Sequence, residues 1–543
     1  MKKYSIVKIE RILRIIFLVL AVVTAAGVLM LIKVQSTRPY MTESVGQQDM
    51  EEYDWEKGLA DSTYWLPENC NLYEPLPDIS FVDDKNKSRF ISEWKGKNLV
   101  VVFWASWCGD CSRQMTQMSQ YEKLAEKYGE VTFLYINKTD GSRETIETSK
   151  EYFDTLSLEG ELYYDTSLDA YDTLGLHNIP TTLFINKEGK ITAWSSSQIE
   201  KASIFEALLK NAVAGGSKAT AEFIINYMMD GDGGIHSAYV PGSQVNINSE
   251  VLSESQGLGL LYAVSVQDKD LFDKILGYIK AFLWKEGLAA WRMEDGKAGS
   301  VNALIDDLRI YRALVQADDL WGGYESEVRL CERALAERAV SDGRFVDFYD
   351  FQNRRYASRF TLCYGDMQSM QLLLEGTGSP EVEKAYEKTL ELLERGQISN
   401  EFPLYYSWYN YDKEQYEKDD LNTAEAMMTL LHLARQGKLK NNTIEWIRTQ
   451  MAGEGLKMRY SVKGEVVSGY NQESTAVYAI LVMIADEIGD DALRAQALNK
   501  MEKMHIINTE FPYNGAYGME DGSGITSFDQ LMPMLAYRIL EKG

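Results

Sequence analysis

Residues 98–111, Asn-Leu-Val-Val-Val-Phe-Trp-Ala-Ser-Trp-Cys-Gly-Asp-Cys, run from an unbroken apolar stretch into two closely spaced cysteines, Cys108 and Cys111. The leading NLVVVFW is rich in β-branched and aromatic side chains and has no polar alternation. That is the pattern of a central strand covered on both faces. Trp107-Cys108-Gly109-Asp110-Cys111 then opens a stretch of helical periodicity that continues to about Lys127, which sets Cys108 at a helix N-terminus. The helix dipole and unpaired N–H groups there stabilise a thiolate. Two thiols one turn apart suit thiol–disulfide exchange, with Cys108 attacking a partner disulfide and Cys111 resolving the mixed disulfide. Half of a zinc site is the other reading of C-x-x-C. No second C-x-x-C or paired His/Cys set accompanies it in this region, so a four-ligand site cannot be assembled and no metal is expected.

Outward from this core, VTFLYIN (131–137) reads as a second buried strand and IPTTLFI (179–185) begins a third, with Pro180 tolerable as a cis turn at its start. FWASWCGDC, IPTTLFINKEGKI, LPDISFVDD and WKGKNLVV together resemble the thioredoxin superfamily, specifically membrane-tethered extracytoplasmic reductases, over residues 72–214. The resemblance implies an α/β thioredoxin fold and a redox disulfide formed by Cys108 and Cys111. It also implies a redox partner protein, and a cis Pro180 facing the cysteines where backbone holds an extended substrate segment. Val102 stands where many thioredoxins bury an acid, and Gly-Asp replaces Gly-Pro between the cysteines. Asp110 is expected to oppose the helix dipole at Cys108.

Beyond Gly215-Gly216 the texture changes to apolar residues at helical spacing: LSESQGLGLLYAVSV (252–266), DLFDKILGYIKAFLW (270–284), VNALIDDLRIYRALVQADDLW (301–321) and YESEVRLCERALAERAV (324–340). Further segments at 218–229, 363–374, 381–395, 421–435, 443–451, 473–488, 491–504 and 527–540 bring the total to about twelve helices, which pair into six hairpins. No fixed-period signature of a superhelical repeat is present, and closed helical toroids carry their sites in loops at one end.

Polar residues stand where these helices begin. Glu254 precedes two glycines, Asp306 and Asp307 interrupt an apolar helix, and Asp419-Asp420 precede LNTAEAMMTLLHLA. Tyr239, Trp284, Trp291, Tyr349, Tyr364, Tyr405, Trp408, Tyr409 and Tyr411 crowd the intervening loops. Paired carboxylates with flat aromatic faces are what glycoside hydrolysis needs: one acid for the leaving oxygen, one base for water, and platforms for sugar rings. Helix capping by Glu254, Asp419 and Asp420, a solvated face for Asp306 and Asp307, and core roles for the aromatics are the plainer readings. SESQGLGLLYA resembles the S-E-G-Q-x-Y-G-M motif of glycoside hydrolase family eight, an inverting family on a six-hairpin toroid, with Leu258 in place of the Tyr. NALIDDLRIYRALVQADDLWG is similar to its A-T-D-x-D-L-D-I-A stretch. The resemblance implies Glu254 as general acid, and Asp307 with Asp306 binding sugar at the cleavage point; from the aromatic set, Trp291 and Tyr364 are expected to bind substrate. The family's S-Y-D-A-x-R pattern is absent. Asp419 or Asp420 is the nearest equivalent of its base, and Asn422 falls near the place of the Arg. The divergent members it most resembles accompany bacterial exopolysaccharide production.

The N-terminus carries Lys2, Lys3, Lys8, Arg11 and Arg14, then an uncharged run over 15–32 that is long enough for one bilayer crossing. Basic residues mark the cytoplasmic side, so the rest is expected outside as a single-pass cell-membrane protein. A cleaved signal peptide is the alternative, because Ala25-Ala26 offers small residues, but the run continues past them to Ile32. The expected layout is therefore a cytoplasmic stub and anchor (1–34), a polar, acidic linker (35–71), a thioredoxin-like domain (72–214) and an all-α (α/α)6 domain (217–543). A net charge of −25 over 543 residues excludes nucleic acid as a partner. Five cysteines cannot all pair, so Cys331 and Cys363 read as buried free thiols. The expectation is an inverting cell-surface hydrolase of a β-linked polysaccharide, without cofactor, joined to a thiol–disulfide exchange domain. Two other readings remain open: an oxidoreductase whose toroid only binds glycan, and a non-catalytic scaffold in exopolysaccharide export.

Overall fold

The computed structural model describes residues 66–241 and 250–542. The expected anchor at 15–32 and most of the linker lie outside the described residues. Among the described residues no helix is long and apolar enough to cross a membrane.

The first part is one sheet of seven strands: β1 (Ser80–Val82), β2 (Ser88–Phe90), β3 (Asn98–Trp104), β4 (Val131–Asn137), β5 (Glu161–Tyr164), β6 (Thr181–Ile185) and β7 (Ile191–Ser195), in the order β2-β1-β5-β4-β3-β6-β7. The central β3 runs parallel to β4 and antiparallel to β6. All seven of its residues are buried, because both of its faces are covered. Val100, Val102 and Trp104 point into one core with the helices α1 (Gly109–Met115), α2 (Met118–Ala125), α3 (Ile146–Asp154) and α5 (Ala202–Ala214). Leu99, Val101 and Phe103 point into the other, with α4 (Asp169–Leu174). The period-two alternation of a strand splits the continuous apolar run between two layers.

Among the described residues twelve α-helices follow: α6 (Gly216–Phe223), α7 (Ser253–Ser265), α8 (Lys269–Tyr278), α9 (Leu304–Trp321), α10 (Glu325–Arg338), α11 (Met367–Thr377), α12 (Pro380–Arg395), α13 (Thr423–Arg435), α14 (Asn441–Ala452), α15 (Thr475–Glu487), α16 (Asp491–Glu502) and α17 (Ser527–Lys542). The helices α7, α9, α11, α13, α15 and α17 each pack on the next, and α17 returns to α7, so they close an inner ring. The intervening helices run back outside it. Apolarity sorts the two layers. Every residue of α15 from Thr475 to Ala485 is buried, as a helix surrounded on all sides must be, whereas the outer α12 buries only one stripe. Because an outer helix returns between successive inner ones, all six inner N-termini gather at the same end. That end holds the polar residues at the helix starts.

The two parts are packed against each other. Gly216 N donates to Tyr73 Oη at 3.1 Å, the Tyr73 and Tyr537 rings lie 5.2 Å apart, and Arg494 pairs with Glu74 at 2.6 Å. Behind them the buried Glu502 accepts from Tyr517 Oη at 2.9 Å and contacts His505 Nδ1 at 3.1 Å. Despite burial, His505 and the Tyr537 and Tyr517 hydroxyls hold its carboxyl below the usual range.

Candidate active sites

Cys108 is the N-cap of α1, and Cys111 N donates to its Sγ at 3.3 Å. The Ile179–Pro180 peptide is cis, and Ile179 O lies 3.5 Å from Cys108 Sγ. Cys108 is half-buried and Cys111 fully buried, both as free thiols. Burial, with Cys108 beside it, pushes the Cys111 thiol far up. Asp110 does not stand alone against the helix dipole: its carboxylate pairs with Arg113, whose Nε donates to Gln198 Oε1 at 2.9 Å. Arg143 stacks 3.9 Å over the exposed Trp107 ring. Alkylation of the reduced protein is therefore expected to label Cys108 first, since Cys70, Cys331 and Cys363 are buried as well. Peptide mapping that finds Cys111 labelled first contradicts the assignment.

At the gathered end of the ring, Glu254 occupies the first turn of α7 with its side chain about one-third exposed. Gly257 lets α9 approach: a Cβ there would meet Arg309 Cβ at 3.1 Å and Asp306 O at 3.3 Å. The close approach brings the buried Asp306 and Arg309 to Glu254. Arg309 Nη1 lies 3.3 Å from Asp306 and 3.8 Å from Glu254, and Ser253 Oγ donates to Asp306 Oδ2 at 2.6 Å. Desolvation and the neighbouring Asp306 charge, only partly offset by Arg309, push the Glu254 carboxyl up to about 7. Burial also raises Asp306. Asp307 faces inward, accepts from Ala289 N at 2.7 Å and Asn302 Nδ2 at 2.8 Å, and is raised well above the usual range by burial. With both oxygens engaged and 4% of its surface exposed, it braces the wall and leaves little for a sugar.

Across the ring, α13 begins with Asn422 as its cap, accepting from Ala424 N at 2.9 Å, so Asn422 is a capping residue. Glu425 stands in that first turn, open to solvent, with Arg459, Asp347 and Arg359 as its charged neighbours. Desolvation, with the Asp347 charge, raises its carboxyl, and the two guanidiniums counter this. Asp347 is buried and accepts from Arg359 Nε at 2.8 Å and Thr361 Oγ1 at 2.7 Å. Asp529, at the start of α17, accepts from Ser474 Oγ, Ala476 N and Thr526 Oγ1, stapling two inner helices together. Asp419 and Asp420 are exposed, and Asp419 accepts from Trp408 Nε1 at 2.8 Å.

Trp291, Tyr364 and Trp408 are half-buried, with Arg292 over Trp291 and Arg359 over Trp408. Trp284, Tyr349 and Tyr409 are half-buried too, whereas Tyr239, Tyr405 and Tyr411 belong to the core. The arrangement supplies a carboxyl suited to donating a proton near neutral pH, an exposed carboxyl on the inner helix three places round the ring, and aromatic faces. Arg309 and Glu425 had no distinguishing signal in the sequence: one is a charge within an apolar helix, the other an acid three residues past a capping Asn.

A Redoxin family model matches residues 73–209, and a model of glycosyl hydrolases family 8 matches residues 230–340. YdaJ of Bacillus subtilis is 29% identical over 299 residues, which is 53% of this chain and 79% of that protein. The thiol-disulfide oxidoreductase ResA of Bacillus thuringiensis is 26% identical over 144 residues, 26% of this chain and 80% of that protein. Among solved structures, a novel alpha-amylase from Clostridium perfringens is 30% identical with a TM-score of 0.54, across 60% of this chain and 97% of that one.

Proposed function

We propose, for a chain that joins a redoxin domain to a glycosyl hydrolase family 8 domain, that the helical ring hydrolyses a polysaccharide outside the cell with inversion at the anomeric carbon. Glu254 donates the proton to the leaving oxygen. The redoxin domain exchanges disulfides with a surface partner protein through Cys108 and Cys111, and the uncharged run at 15–32 holds both domains at the membrane. The observation that carries the hydrolase reading is Glu254 itself: a partly exposed carboxyl at a ring end, kept protonated towards neutral pH by burial and by Asp306. Asp306 binds or orients at the cleavage point, and Trp291 and Tyr364 offer faces for sugar rings.

The name of the Clostridium perfringens relative makes an α-glucan the first substrate to assay, ahead of the β-linked glycan implied by the motif resemblance. Starch, mixed-linkage β-glucan, carboxymethylcellulose and xylan are incubated with the protein and new reducing ends counted. Release from one of them is expected, and the protein is expected to pellet with membranes and leave them only in detergent. Inertness on every polysaccharide, with disulfide reduction intact, would leave an oxidoreductase with a binding ring. Recovery in the soluble fraction would remove the anchor.

A further inference from the structure

Resting on the hydrolase reading, the cleft also singles out the carboxylate that activates water. Most acids at this end of the ring are already committed. Asp306 is held by Ser253 and Arg309, Asp307 by Ala289 N and Asn302, Asp347 by Arg359 and Thr361, and Asp529 by three donors from two helix starts. A carboxylate already accepting two or three bonds from fixed protein donors has less capacity left to hold and deprotonate a water than one with none. Glu254 and Glu425 differ from these four. Each is open to solvent, and no hydrogen bond from another group to either carboxylate is found among the described residues, Glu254 having only the 3.8 Å contact with Arg309.

They also stand opposite one another. In the ring α7-α9-α11-α13-α15-α17, the helix carrying Glu425 is three places from the helix carrying Glu254 in either direction, and both residues lie in the first turn. An inverting mechanism needs this relation, with two carboxyls on facing walls roughly 6.5–9.5 Å apart and room between them for a sugar ring and a water. Glu425 is near enough to act on Glu254: its charge is among those that raise the Glu254 carboxyl, as is that of Asp529, while Asp419 and Asp420 are not among the principal ones. Desolvation and Asp347 raise the Glu425 carboxyl, and Arg459 and Arg359 oppose them, as counter-charges for the ionised form that a base requires.

We propose that Glu425, rather than Asp419 or Asp420, is the general base of the hydrolase cleft. In the step, a water held by the Glu425 carboxylate attacks the anomeric carbon from the face opposite the leaving group and gives its proton to Glu425. The anomeric C–O bond breaks, and the leaving oxygen takes the proton of Glu254. Glu425 then releases its proton to solvent and Glu254 takes one up, so the net change is one water added across one glycosidic bond.

Substrates with different leaving groups separate the two roles, because fluoride departs with little protonation whereas every substrate needs an activated water. The full chain and its variants are assayed on the cleaved polysaccharide and on α-maltotriosyl or β-cellotriosyl fluoride. Glu425→Gln is expected to lose about 100-fold or more on both, and Glu254→Gln that much on polysaccharide but less than about 10-fold on fluoride. Sodium azide, an external nucleophile, is expected to restore turnover of the fluoride by Glu425→Ala and yield the inverted glycosyl azide. Melting curves check that the variants fold; if Glu425→Gln does not, azide rescue of Glu425→Ala decides. A Glu425→Gln variant that keeps its rate while Asp419→Asn or Asp420→Asn loses it overturns this inference and leaves the hydrolase reading standing. A wild-type protein inert on all substrates overturns both.

Discussion

Glu254→Gln is expected to cut polysaccharide cleavage by about 100-fold or more, since the amide keeps the shape and hydrogen bonding of the acid but has no proton to give. The pH profile should report the same group. With the carboxyl held up to about 7 by burial and Asp306, wild-type activity is expected to fall as pH rises past about 7, where the acid loses its proton. Stability follows the same sign. A carboxyl whose folded pKa is raised stabilises relative to its ionised form below the unfolded value, and that contribution is lost as pH climbs through the folded value. The Gln variant is thus expected to gain on wild type in melting temperature between about pH 5 and pH 8. Reduction of insulin disulfides through Cys108 should be unchanged, because the cysteines lie in the other domain. Unaltered polysaccharide cleavage by Glu254→Gln contradicts the assignment.

The second large effect is expected at Arg309. Its side chain is 5% exposed and is the cation facing both Asp306 and Glu254. Arg309→Met roughly keeps the volume but leaves the buried Asp306 without its counter-ion, a loss of about 3–5 kcal/mol for a broken buried pair. Chemical denaturation measures it directly. Since Arg309 lowers the Glu254 carboxyl, its removal should also carry the alkaline limb of any remaining activity to higher pH. A variant with wild-type stability and an unmoved limb would mean that Asp306 is not charged in the folded protein.

The strand-CGDC-helix order and the helical periodicity were legible because each is set locally. A continuous apolar run needs cover on both sides, and β3 has it; residues apolar all round need an inner position, and α15 has one. Glu254 was legible through its motif and the two glycines after it, the first of which admits α9. The opposite wall was not. Asp419 and Asp420 draw the eye as a pair of acids before a helix, yet both are exposed on the approach to it, and Asp419 is tied to Trp408. The place of Glu425, three inner helices away from Glu254 in either direction, is set only when the ring closes, through contacts distant in sequence that no local pattern encodes. The inward orientation of Asp307, settled by Asn302 and the backbone of Ala289, depends in the same way on a loop folded over the helix start. At the cysteines, the pairing of Asp110 with Arg113 one turn later was not read from the sequence, and the Arg113 side chain is held in turn by Gln198 from a distant loop.

The most direct test of a cleft that works by single displacement between facing carboxylates is proton NMR of the reaction in its first minutes, before mutarotation. The account predicts that the newly formed reducing end has the configuration opposite to the bond cleaved: β-anomer from an α-glucan, or α-anomer from a β-glucan. A first-formed product that retains the original configuration would require a covalent glycosyl-enzyme and would contradict it.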